Sequence, residues 1–398
     1  MTQLLILCEY PTLSGGERSM LVTFDGVARA GFDVHVMAPG QGPLALACRE
    51  RRIPLVPFPT ANNSQSNVPL AERREHLAGV LTRRRPDLLH ANSLAMGRLA
   101  GPVAADRNVP SLAHLRDIIK LSARAIRDLN ANRRLLTVSK ATRQFHVAAG
   151  LAADKTFVLY NGIDLNQFQP RTPTGYLHRE LGIPMESPLV GSIGQICLRK
   201  AQDVLLNAAV RLGATAGLPS SANVVGQTVP DTPLPAARCP LPAPHWLIIG
   251  QRWSDKPESR RFEERLHAVA RRLGPLVHFL GPRDDVPRLL GELTLLVHTA
   301  RQEPLGRVLL EAAASGTPVV ATDVGGTREI FPPESASARL VPPDNPEALA
   351  AAIAELLSRP DDRLALGVAA RRRAEAQFDA ARATTALVDH YRATACGE

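Results

Sequence analysis

At 398 residues the chain is longer than one ordinary core organises, and two domains of roughly 150 to 200 residues are expected. With 45% hydrophobic and 21% charged residues it has the composition of a soluble globular protein, and no apolar run approaches the roughly 20 residues of a membrane span. The net charge of +9 lies almost wholly in residues 1–170, where 21 Lys and Arg stand against 13 Asp and Glu; residues 171–398 hold 26 against 25.

Aromatic residues are only 4% and none punctuate the arginine runs, which argues against nucleic acid as a partner. The basic half fits a lipid phosphate, an acidic glycan or peripheral contact with an anionic membrane, and it fits plain solubility charge equally well. Residues 1–8 run from a short apolar stretch straight into a motif and read as a first strand, not a signal peptide. Cys8, Cys48, Cys197, Cys239 and Cys396 have neither metal nor disulfide spacing, so the cytoplasm is the expected compartment.

After the strand at 4–8, the loop at 11–17 delivers Gly15 and Gly16 to a helix over 18–30, where glycine would let the backbone crowd a phosphate. Strands are expected at 31–39 and 53–58, then a polar loop at 60–69, a basic helix at 70–85 and strands at 86–92 and 110–117. His90 and His114 each stand near a strand end, and Arg116 and Asp117 either position substrate or pair. Residues 117–130 place Ile118, Leu121, Ser122, Ala125 and Leu129 on one side of an expected helix, with Arg124 and Arg127 interspersed. Such a stripe either packs on the sheet or touches anionic lipid. Strands at 135–140 and 157–164, the latter turning at Asn161-Gly162, complete a first domain.

The segment 171–188 reads as a linker, and the strand at 189–194 begins a second sheet. The following loop brings Gln195, Arg199 and Lys200 to the start of a helix over 202–212, where cations meet developing negative charge. Residues 213–245, with seven prolines, read as an extended surface insertion. A strand at 246–250, a charged helix at 257–273 and a strand and turn at 277–285 follow, with Asp284 and Asp285 expected as helix caps.

The densest signals lie at 301–326. A strand at 293–299 leads to Arg301 and Glu303, Pro304-Leu305-Gly306 opens a helix that contains Glu311, and Gly316 ends it. The next strand, 317–322, ends in Asp323-Val324-Gly325-Gly326, at the carboxyl edge where ligands of open α/β sheets collect. Amides at Gly306, Arg307 and Val308 suit a phosphate. Carboxylates repel phosphate, so Glu303 and Glu311 are expected to accept hydrogen bonds from neutral hydroxyls at the two ends of the ligand. Hydroxyl-bearing groups flanking a diphosphate describe a nucleotide sugar. A late strand at 338–342 and helices at 346–357, 361–378 and 380–395 close the chain.

The run E-P-L-G-R-V-L-L-E-A-A-A-S-G-T-P-V-V-A at 303–321, together with Gly325-Gly326, Asn161-Gly162-Ile163-Asp164 and the Val138-Ser139 turn, resembles the GT-4 group of retaining glycosyltransferases. The resemblance covers nearly the whole chain and implies the α/β GT-B architecture of two facing, doubly wound Rossmann-like domains. Residues 1–170 would form the acceptor-side domain and 189–378 the nucleotide-sugar domain, with 213–245 inserted. Residues 171–188 would be a hinge, and a C-terminal helix in 379–398 would pack back on the first domain. The resemblance further implies that Glu311 binds ribose and Glu303 the sugar hydroxyls. Lys200 and Arg199, the loop at Gln195 and the amides around Gly15, Gly16, Gly306, Arg307 and Val308 would hold the diphosphate. His114 would line the transfer pocket, with His90 as its rival, so that Glu303, Lys200 and His114 carry catalysis. No cofactor or metal is implied beyond the nucleotide-sugar co-substrate, and no Asp-x-Asp pair occurs in the chain.

Two positions depart from the family pattern, Gln195 where most members have arginine and Ala201 where glycine follows the lysine. The expected activity is metal-independent transfer of a sugar, with retention, from a nucleoside diphosphate to a hydroxyl of a glycan, lipid-linked or small-molecule acceptor, as in cell-envelope polysaccharide synthesis. A catalytically silent nucleotide-sugar-binding subunit and an epimerase of the same architecture stay open. A Rossmann oxidoreductase is disfavoured because no G-x-G-x-x-G follows either first strand.

Overall fold

A computed structural model of the chain describes residues 1–59, 68–215 and 242–397. It divides into two compact units, Met1–Asp164 with Gln377–Glu398, and Leu165–Ala376. Most of the loop expected at 60–69, most of the insertion expected at 213–245, and Cys239 lie outside the described residues.

The first unit is built on seven strands, β1 (Thr2–Leu7), β2 (Phe32–Ala38), β3 (Leu55–Pro57), β4 (Leu88–Ala91), β5 (Ser111–Leu115), β6 (Arg134–Thr137) and β7 (Thr156–Val158). They pair in parallel in the order β3-β2-β1-β4-β5-β6-β7. Every residue of β4, β5 and β6 is buried, as a parallel sheet covered on both faces requires. Alternation along the strands sends Leu4, Ile6, Leu112 and Leu136 to one face and Leu5, Leu7, Leu89 and Leu135 to the other. The first face is closed by Phe24 and by Leu387, Val388 and Tyr391 of the C-terminal helix Ala380–Cys396. Gly162 seats that helix: a Cβ there would stand 2.6 Å from Ala380 Cα, and Ile163 bridges to Asp379.

Two helices differ from expectation. The one expected over 18–30 is two, Gly15–Leu21 and Phe24–Arg29, because Thr23 turns its hydroxyl onto the Met20 carbonyl at 2.7 Å. The one expected over 117–130 covers only Ala123–Asn130, because Ser122 is its cap, accepting from Ala125 N at 3.2 Å. Ile118 is buried and Ile119 exposed ahead of that cap, so the apolar stripe expected there does not form on one helix.

The second unit repeats the winding with β8 (Leu189–Ile193), β9 (His245–Ile249), β10 (Val277–Gly281), β11 (Leu295–His298), β12 (Val319–Thr322) and β13 (Arg339–Val341), parallel in the order β10-β9-β8-β11-β12-β13. Val190, Trp246, Ile248, Leu295 and Val320 pack against Leu205, Phe262, Leu266 and Ile353 in one core cluster. Residues 171–188 are not a free linker. Glu292, buried, accepts from Thr174 N, Thr174 Oγ1 and Gly175 N at 2.7, 2.7 and 2.8 Å, and the helix Tyr176–Leu181 follows. Tyr176 donates to Asp285 at 2.8 Å, so Asp285 stands at a helix start without capping it; its carboxylate, lowered to about 2, is held chiefly by Arg283. Among the described residues no helix is long and apolar enough to cross a membrane.

Candidate functional site

In each sheet the strand order reverses beside its first strand, between β1 and β4 and between β8 and β11. The loops leaving the carboxyl ends of those strands border the crevice where doubly wound sheets bind ligands.

In the second unit these loops are 194–201, after β8, and 299–306, after β11. Lys200 Nζ donates to Glu303 Oε2 at 2.5 Å, His298 Nε2 lies 2.8 Å from the same oxygen, and Arg199 Nη1 lies 3.7 Å from it. Glu303 Oε1 has no hydrogen-bond partner among the described residues. Glu303 is 5% exposed and His298 3%. Burial alone would raise the Glu303 carboxyl, but Lys200, His298 and Arg199 outweigh it and hold the group well below the usual range. His298 is lowered, by burial first and Lys200 second, and is neutral. Arg199 and Lys200 bring two positive charges to one negative, so the immediate cluster keeps a net positive charge for an anion.

The turn carrying these cations is bound from below. Arg301 donates through Nη1 to Leu198 O at 2.7 Å and through its backbone N to Arg199 O at 2.8 Å, while Thr299 Oγ1 reaches Lys200 O and Ala201 O at 3.0 and 2.8 Å. Ala201 has φ +51 and is fully buried, so the left-handed turn that glycine would make most easily is kept with alanine. Gln195 joins the loop through its carbonyl, which accepts from Gln202 Nε2 at 2.8 Å.

Gly325 and Gly326 are not an open ligand loop. Added Cβ atoms would fall 2.0 Å from Glu303 O and 2.4 Å from Pro304 O, and Gly326 N donates to Glu303 O at 2.9 Å, so the pair clasps the Glu303 loop. Gly306, at φ 100, opens the helix Arg307–Ala314, whose first turn contains Val308. Glu311 is buried on that helix and accepts from Arg307 Nε, one turn before it, at 2.8 Å.

In the first unit Gly15 and Gly16 lie in the first turn of a helix, but Glu17 closes that amino end with its own carboxylate, accepting from Ser14 N at 3.2 Å and from Ser14 Oγ. A negative charge thus stands on the Ser14 side of the Gly15 and Gly16 amides expected to seat a phosphate. Gly16 has another use, since a Cβ on it would stand 3.0 Å from Arg116 Cδ.

Arg116 is the hub of this side. It donates to Asn161 Oδ1 at 2.7 Å, to Asn92 Oδ1 at 2.8 Å, to Asn92 O at 3.3 Å and to His114 Nδ1 at 3.0 Å. A guanidinium only donates, so His114 is neutral with its proton on Nε2. That buried N–H makes no full hydrogen bond among the described residues, the Leu159 carbonyl offering a weak contact. His90 instead places Nδ1 2.7 Å from Tyr391 OH and stacks on His114, which ties it to the C-terminal helix. Burial, then Arg116, lowers both rings, His90 to about 3.

Sequence reasoning missed Asn92, Asn161 and His298. Asn92 and Asn161 could have been found as polar residues just past strand ends; His298, closing the apolar run of β11, looks like core. Among the described residues no three His, Cys, Asp or Glu side chains are grouped so as to hold a metal ion.

Two parallel, doubly wound α/β units make up the GT-B architecture. The family model for glycosyl transferases group 1 matches residues 176–373, and that for glycosyltransferase family 4 matches residues 13–167. A D-inositol 3-phosphate glycosyltransferase of Saccharomonospora viridis is 30% identical over 327 residues, covering 77% of this chain and 70% of that protein. Its counterpart in Corynebacterium urealyticum is 31% identical over 241 residues, 59% of this chain, and the match spans half of that relative's length. Among solved structures, HepE of Anabaena in complex with UDP and glucose has a TM-score of 0.80 at 23% identity, covering 98% of this chain and 99% of that one, a likeness of fold. The chain belongs to the group 1 glycosyltransferases.

Proposed function

We propose that the chain transfers a sugar from a nucleoside diphosphate to an acceptor hydroxyl with retention and without a metal. The observation that carries this reading is the Glu303 cluster, in which two cations flank a carboxylate whose second oxygen has no partner among the described residues. Lys200 and Arg199 would stabilise the departing diphosphate, Glu303 would accept from a sugar hydroxyl, and Glu311 would accept from the ribose. As the bond from the anomeric carbon to phosphate breaks, the acceptor oxygen bonds that carbon on the same face, and the acceptor's proton passes to the departing phosphate oxygen. His114 Nε2–H offers a donor on the acceptor-side unit. The glycan or lipid-linked acceptor and contact with an anionic membrane belong to the same proposal, supported by the basic first half, as does a cytoplasmic setting, supported by cysteines without disulfide spacing.

UDP is the first donor nucleotide to try, because HepE binds it. A thermal-shift panel of UDP, GDP, ADP and TDP tests the reading, since a ligand at about 100 times its Kd adds about 2.7 kcal/mol. One nucleotide should stabilise the wild type and lose that effect in Glu311→Ala. Stabilisation by none would overturn the proposal. Stabilisation without turnover of any nucleotide sugar would favour the silent subunit, for which the departures from the family pattern at Gln195 and Ala201 are the motive.

A further inference from the structure

We propose that His298 is a positioning residue: its Nε2–H holds one oxygen of Glu303 so that the other is presented to the donor sugar. This rests on the glycosyl-transfer reading. His298 ends β11, a strand buried at every residue, where Leu295, Leu296 and Val297 precede it. A polar ring in such a place costs stability unless it is hydrogen-bonded, and its observed partner is Glu303 Oε2 at 2.8 Å. An ionised carboxylate cannot donate, so the imidazole does, and its proton sits on Nε2.

Lys200 holds the same oxygen but is a poor orienting group. Its ammonium is a point charge on a flexible stem, with three equivalent protons and no preferred plane. When a diphosphate arrives, the ammonium is also the group drawn towards it. The imidazole is planar, directional and fixed to the sheet, so it keeps Glu303 turned while Lys200 moves. Oε1 is then the acceptor that reads the hydroxyl pattern of the sugar.

The test has a ligand-free arm and a kinetic arm. In nitrogen-15 NMR spectra of the unliganded full chain, the His298 ring, assigned by its loss in His298→Leu, should be neutral with its proton on Nε2 through neutral pH. In the kinetic arm UDP binding and UDP-glucose turnover are compared in wild type, His298→Leu and His298→Gln; GDP and GDP-mannose replace them if GDP gives the thermal shift. The leucine variant should bind the free diphosphate within about twofold of wild type yet lose roughly tenfold or more in kcat/KM, the scale of one hydrogen bond to a charged group. Glutamine, whose amide nitrogen reaches the place of Nε2, should restore most of that loss.

A ring protonated on Nδ1 overturns the proposal, as does a leucine variant with wild-type turnover. An equal loss of diphosphate binding and turnover that glutamine does not rescue assigns His298 a packing role and also overturns it. If no nucleotide stabilises the wild type, the glycosyl-transfer reading fails and the sugar role with it, while the NMR arm separately reports whether His298 donates to Glu303.

Discussion

Removing Lys200 leaves Glu303 ionised where it is 5% exposed, a change that costs roughly 3 to 5 kcal/mol when a buried pair loses one partner. Lys200→Met is therefore expected to lower stability by about that much and to cost about 3 kcal/mol of transition-state stabilisation as well. The two effects separate in Lys200→Met/Glu303→Gln, which should regain most of the stability and none of the turnover, as urea unfolding beside donor turnover would show. Acid supplies a further check. The folded chain holds Glu303 below its ordinary 4.5, so this contribution is complete above 4.5 and is lost as pH falls through the acidic range. In Lys200→Met burial acts with less opposition, so the deficit, large near neutrality, should shrink on acidification; a constant deficit would sink the ion-pair account. Ala201 is a balance of small terms. Its left-handed backbone costs about 1 to 2 kcal/mol. Ala201→Gly would relieve that but give up about 0.8 for a buried methylene-sized group and about 0.4 to 1 in unfolded-chain entropy. The expected change is within about 0.8 kcal/mol in either direction by denaturant titration, so the departure from glycine leaves the Lys200 turn intact.

At the scale of elements, serine side chains decide where three helices begin. Ser93, Ser122 and Ser139 accept from Met96 N, Ala125 N and Thr142 N at 3.1, 3.2 and 2.9 Å. Ser139 is fully buried and also meets Thr142 Oγ1 at 2.8 Å, so Ser139→Ala should cost about 1 to 2 kcal/mol, measured by thermal unfolding. The strands were legible in the sequence because short runs such as those at β8, β11 and β12 are apolar and bounded by turn residues. Glu303 and Glu311 were legible because Gly306 and Gly316 mark the helix between them. What was hidden depends on side chains bonding back to the main chain, as at Thr23 and Ser122, or on partners remote in sequence. Residues 171–188 look like a linker because the carboxylate that fastens them, Glu292, lies over a hundred residues further on. Gly325-Gly326 looks like a ligand loop because nothing local reveals the Glu303 backbone against it.

At the scale of the whole molecule, the chain leaves the first unit after Asp164 and returns to it at Gln377, so that unit is complete only when the last 22 residues are present. Those residues bring Leu387, Val388 and Tyr391 into its core, and Tyr391, 1% exposed, packs on Phe32 at 5.4 Å and meets His90. Tyr391→Ala should cost about 3 to 5 kcal/mol, the scale for a large aromatic in a core, and all of it should fall on the first unit. The second unit owes its core to other residues, from Val190 to Leu357. Limited proteolysis of the variant should therefore cut first within residues 1–164 and leave a resistant fragment spanning roughly 165–376. Acid should act in the same direction. His90 is neutral in the folded chain down to about 3, whereas the unfolded chain takes up a proton below about 6.5. Each pH unit lost in that window thus removes about 1.4 kcal/mol from the first unit through His90 alone. His90→Gln should flatten this slope, and equal proteolysis of both units in Tyr391→Ala would show that they unfold together.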